Sequence, residues 1–171
     1  MDTSARRERA VVGSGTRRAR VAVIKTRPES VLDDVAGMMR SFGYRDALPP
    51  GNRTILKDNI SWHLPHLSAN TTPWQLEGVV RTLREDGYED LLGLHNQTVV
   101  TDAQRGDKLN KFAGVYGRYG VPTVNNFDPD CRWVTIEPTW ELLVLPWIFG
   151  EVRVPEVMIG TNVVHLPTVK T

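Results

Sequence analysis

Cysteine is nearly absent from this chain, with Cys131 standing alone among 171 residues. A single thiol excludes an intramolecular disulfide. It also excludes a CxxC zinc or iron–sulfur ligand set within these residues, and it suits a reducing, cytoplasmic compartment. Long apolar runs are missing too. The longest, residues 142–149, is interrupted by Pro146 and is too short to cross a bilayer, and no continuous apolar stretch near the N-terminus marks a secretory leader. No membrane partner is therefore expected. The chain has neither a glycine-rich phosphate loop nor a GxSxG elbow, and Cys131, between Asp130 and Arg132, has no assignable base. Nucleophilic triads and nucleotide-cradling loops find no support.

An excess of either charge is also missing, since 21 basic residues face 20 acidic ones for a net charge of +1. The basicity is local: Arg6, Arg7, Arg9, Arg17, Arg18 and Arg20 stand against only Asp2 and Glu8 in the first twenty residues. This segment also carries Gly13-Ser14-Gly15 and few apolar residues, so residues 1–19 read as a flexible basic tail rather than a nucleic-acid arm. The rest has an ordinary globular composition, with 40% hydrophobic and 24% charged residues, and its length fits one domain.

Periodicity along residues 20–171 alternates strand and helix. The β-branched run Val21-Ala22-Val23-Ile24-Lys25 reads as a buried parallel strand. Pro28 opens a helix with Val31, Val35, Met39 and Phe42 on one stripe, and Gly43 stops it. A second strand covers 53–57, and a long loop follows from Asp58 to Asn70. Thr72, Pro73 and Gln75 have the N-cap, first-turn proline and capping-box order of a helix start. That helix ends near Gly87, and Asp90 to Leu94 form a third strand. A further helix is expected from about Asp107, with Leu109, Phe112, Ala113, Tyr116 and Tyr119 on its apolar side. Val121 to Val124 follow as a strand. Periodicity fails in the Trp- and Pro-rich region 133–157, where hairpins and loops fit equally well, and Asn162 to Pro167 reads as a core strand with His165 in the core or on the sheet face. The expected fold is α/β, a mainly parallel sheet with covering helices.

In open parallel sheets ligands bind outside the carboxyl ends of the strands, where helix N-termini present free N–H groups. That rule selects Lys57 and Asn59, Thr71 and Thr72, His95, Asn96 and Gln97, Asn125, Asn126 and Asp128, and finally Lys170. Two lysines, several amides and a helix N-terminus on one edge suit a carboxylate or phosphate. His95 is the best general acid–base candidate, because imidazole titrates near neutrality at about pH 6.5. His63 and His66, three residues apart, are weak metal candidates with no third ligand at a recognisable interval, so no metal is assigned.

Four short motifs then occur in a familiar order. Val21-Ala22-Val23-Ile24-Lys25 is followed by Lys57-Asp58-Asn59, by Thr71-Thr72-Pro73, and by Leu166-Pro167-Thr168-Val169-Lys170-Thr171. This order resembles the family catalogued as domain of unknown function 362, with Asp58 in place of that family's proline. The resemblance implies that residues 20–171 are the N-terminal portion of such a domain, incomplete at its C-terminal end. It also implies further glycine- and asparagine-rich sequence beyond Lys170 and, in some members, a ferredoxin-like cysteine cluster that this chain does not contain. The expected function is binding of a small anionic molecule at the strand-end edge, as part of an enzyme. The alternative is a non-catalytic, redox-associated or ligand-binding module linked to iron–sulfur proteins.

Overall fold

The computed structural model describes residues 21–137 and 144–168. The expected basic tail and Lys170 lie outside the described residues. Four strands, β1 (Thr54–Asp58), β2 (Leu91–His95), β3 (Thr123–Asn125) and β6 (Asn162–Leu166), form an all-parallel sheet in the order β3-β2-β1-β6. The α/β expectation therefore holds. A separate antiparallel pair, β4 (Trp133–Ile136) with β5 (Val152–Pro155), occupies the region whose periodicity is lost, and the short helix α6 (Leu145–Phe149) lies between them.

The two faces of the sheet are covered differently because of the strand order. From β1 the chain steps to β2 and on to β3, then returns to the far side of β1 as β6. Parallel crossovers are right-handed, so steps in opposite directions place their connections on opposite faces. Helices α1 (Val31–Phe42), which the one-turn α2 (Tyr44–Ala47) follows, α3 (Pro73–Glu85) and α5 (Phe112–Arg118) cover one face, where Leu56, Leu76, Val80, Leu83, Leu91 and Phe112 are buried together. On the other face Ile55, Leu92 and Leu94 are covered by Val157 and Met158 of the return connection. Val163 and His165 remain exposed there, so His165 is a sheet-face residue and not part of the core.

Helix α3 starts as its sequence dictates. The Thr72 hydroxyl accepts the Gln75 N–H at 3.3 Å, and Pro73 takes the first turn, where no N–H is needed. Thr72→Ala should cost about 1 kcal/mol, measurable as a lower urea midpoint with an unchanged slope.

Two expectations need correction. Residues 21–25 form no strand, and Val21, Val23 and Ile24 are exposed. A β-branched run becomes a strand only by pairing with a sheet edge, and residues 21–25 pair with neither edge strand, β3 or β6. The helix expected from Asp107 begins earlier and is broken in two. Asp102 caps α4 (Ala103–Leu109), and Lys111, at a left-handed φ of 68°, separates it from α5.

Candidate functional site

Strand pairing assembles the site. Leu56 is level with Gly93, and continuing that register puts Asp58 beside His95 at the carboxyl ends of β1 and β2. Both side chains point to the helix-covered face, at 1% and 3% exposure. His95 Nδ1 lies 3.0 Å from Asp58 Oδ1, and the Tyr116 hydroxyl of α5 donates to Asp58 Oδ2 at 2.7 Å. The rings of His95 and Tyr116 meet edge to face with centroids 5.9 Å apart. On the far side of the imidazole, His95 Nε2 lies 3.7 Å from Asp107 Oδ1 of α4. Neither of these two facing atoms has a hydrogen-bond partner.

A glycine makes this arrangement possible. A Cβ on Gly93 would lie 2.8 Å from Tyr116 Cζ and 3.0 Å from Thr123 Cγ2, so only a residue without a side chain lets the tyrosine ring rest on the sheet and reach Asp58. Gly93→Ala should cost about 1–3 kcal/mol through overpacking. It should also lift the Tyr116 hydroxyl off Asp58, visible as a tyrosine ultraviolet titration shifted toward the ordinary range.

The electrostatics follow from burial opposed by neighbouring charge. Burial lowers the His95 pKa, but the Asp58 hydrogen bond and the charges of Asp58 and Asp107 outweigh it, while Lys57 opposes them weakly, and the net shift is upward. Burial raises the Asp107 pKa, partly offset by the charge of His95. Burial and then Asp58 push the Tyr116 hydroxyl well above its usual range. His95 thus lies between two carboxylates that favour its protonated form, and Asp107, with 18% of its side chain exposed, is the one of the two that reaches solvent.

The residues selected from sequence are not all brought together. Lys57 points to the opposite sheet face from Asp58, as strand alternation requires. It donates to the Asp58 carbonyl at 2.8 Å, and burial lowers its pKa. Asn59 spends its amide on the Ala69 carbonyl at 2.8 Å and on Ser61 Oγ at 3.1 Å. The Thr71 hydroxyl donates to the Leu166 carbonyl and accepts the Asn59 N–H, which ties β1 to β6. Thr72 is the α3 cap, and Asn96 is half-buried directly after His95. Asn125, next to His95 in the sheet, donates to Asp128. His66 Nδ1 faces Ser68 Oγ at 2.9 Å, whereas His63 stacks on Trp62. No group of three His, Cys, Asp or Glu side chains among the described residues is placed to hold a metal ion.

Sequence reading missed Asp58, Asp107 and Tyr116. Asp58 sits in the motif that drew attention to Lys57 and Asn59, and the signal was a carboxylate at one strand end when the next strand ends in histidine. Compared with protein-family models, curated proteins and solved structures, the chain matches none. Among the described residues no helix is long and apolar enough to cross a membrane.

Proposed function

We propose that this chain is an enzyme domain that uses Asp107, backed by His95, as a general acid–base toward a small molecule at the strand-end edge. The observation that carries this reading is the imidazole held between two carboxylates, of which only Asp107 is open to solvent. Asp58 and Tyr116 fix the ring and its charge and are positioning residues. A proton passes between the substrate and the partly exposed Asp107 carboxylate, whose raised pKa brings it closer to neutrality, and His95 stabilises the ionised form.

This reading shifts the emphasis away from an anionic ligand. Two carboxylates flank the histidine, and Lys57 is committed on the other face of the sheet. An anion would meet net negative charge beside Asp107. A neutral or weakly basic substrate is therefore favoured. The motif order resembling domain of unknown function 362 is compatible with this reading, because it too places Lys57-Asp58-Asn59 at a strand end.

The test is a small-molecule panel screened by thermal shift, followed by NMR of each stabilising compound for turnover. Asp107→Asn should leave the fold intact and reduce turnover about 100-fold or more, the usual scale of a lost general acid–base. Turnover unchanged in that variant would sink the proposal, as would a wild-type protein that stabilises with compounds but converts none.

A further inference from the structure

Beside the acid–base pair lies a cleft of about 490 Å³ whose walls include His63, Gln97, Thr98, Asp102, Gln104 and Phe127. Its lining includes neither His95 nor Asp107, but it does include chain neighbours of both. Gln97 follows His95 by two residues, and Gln104 precedes Asp107 by three on the same helix, a spacing that places neighbours on one face. His63 is pressed against that helix: a Cβ on Gly106 would lie 3.4 Å from the His63 Cα, and Asn110 donates to the His63 carbonyl.

The chemistry of the walls is selective. Two primary amides, threonine hydroxyls, one carboxylate and one imidazole line the cleft, and neither lysine nor arginine is among them. Nothing there balances a phosphate or carboxylate. Amides and hydroxyls offer donors and acceptors together, as a molecule bearing several hydroxyl groups requires, and the partly exposed Phe127 ring offers an apolar surface for its C–H face.

We infer that this cleft binds a neutral, polyhydroxylated small molecule of sugar or polyol type, which names the substrate class for the acid–base site proposed above and rests on that reading. Gln97 and Gln104 clamp the hydroxyls, and Phe127 supports the ring or chain.

The experiment is calorimetric titration of the full chain with glucose, ribose and sorbitol, and in parallel with glucose 6-phosphate and gluconate. The neutral compounds should bind more tightly than the charged ones. Gln104→Ala and Phe127→Ala, both at exposed positions that leave the core intact, should each weaken that binding about tenfold, as loss of one good contact does. Tighter binding of the phosphate or carboxylate forms, affinities indifferent to both substitutions, or no binding by any of the five would overturn the inference. The His95 titration, followed separately by NMR, distinguishes this failure from failure of the acid–base reading. A ring that titrates above its ordinary range while no polyol binds leaves the acid–base pair standing and removes only the substrate class.

Discussion

Asp58→Asn should destabilise the protein by about 3–5 kcal/mol, the scale on which removing one partner of a buried ion pair leaves the other uncompensated. The loss should depend on pH. In the wild type the folded-state pKa of His95 lies above its ordinary value, so the stabilisation it contributes is complete below about pH 6.5 and is lost as pH rises through the folded value. In the variant, burial is opposed by Asp107 alone and its sign prevails. The folded pKa falls below the ordinary value, and stability is lost as pH falls. The gap between the two proteins is therefore widest in mild acid and narrows above neutrality. The groups facing His95 are Asp58, Tyr116 and Asp107, with the charge of Lys57 acting weakly from the other face of the sheet, and of the two carboxylates only Asp58 bonds the ring directly. Urea unfolding at pH 5.5 and pH 8, with an NMR titration of the His95 ring, checks both halves. A gap of equal size at the two pH values, or a ring midpoint unmoved by the substitution, would be incompatible with the ion pair described.

Asn70→Ala should cost about 3 kcal/mol or more, because each buried polar group left unsatisfied costs about 1–3 kcal/mol and Asn70 serves several at once. Its oxygen accepts the N–H groups of Ser61 and Trp62 at 2.9 and 3.0 Å. Its amide nitrogen lies 2.8 Å from the Trp62 carbonyl, 3.1 Å from the Leu64 carbonyl and 2.8 Å from Asn110 Oδ1. The side chain is fully buried and therefore shapes the loop from Asn59 to Thr71 from within, and through Asn110 it fastens that loop to the end of α4. The expected shift in melting temperature is roughly 6–12 °C for a protein of this size. A loop released from Asn110 also frees His63, so the His63 ring signals should broaden in the same variant. A fall in melting temperature of less than about 2 °C would show that water replaces the amide without cost, contrary to the burial observed.

The positions read correctly from sequence are those whose physics is local. Thr72, Pro73 and Gln75 carry a helix start within four residues, and the stripes Val35–Met39 and Leu76–Leu83 carry helix faces within one helix each. The positions misread depend on remote partners. Val21 to Ile24 have the composition of a strand, but a strand forms only by pairing with a partner elsewhere in the fold, and these residues pair with none. Asp107 looks like a helix start, yet the helix begins at Ala103 because the Asp102 side chain accepts the Arg105 N–H. His95 was selected by its place at a strand end, and the structure adds that it is buried between Asp58 and Asp107.

What the chain determines by itself is the alternation of strand and helix, the caps, and the concentration of polar residues at strand ends, since hydrophobic period and capping chemistry are written over spans of three to seven residues. Tertiary structure alone decided that Asp58, His95, Asp107 and Tyr116 meet. Their separations in sequence are 37, 12 and 9 residues. Their contact depends on the register between β1 and β2, on the space left by Gly93, and on the break at Lys111 that turns α5 back across the sheet. None of these is expressed in the four residues themselves, because a parallel register is set by packing of the whole sheet against its helices rather than by any one strand.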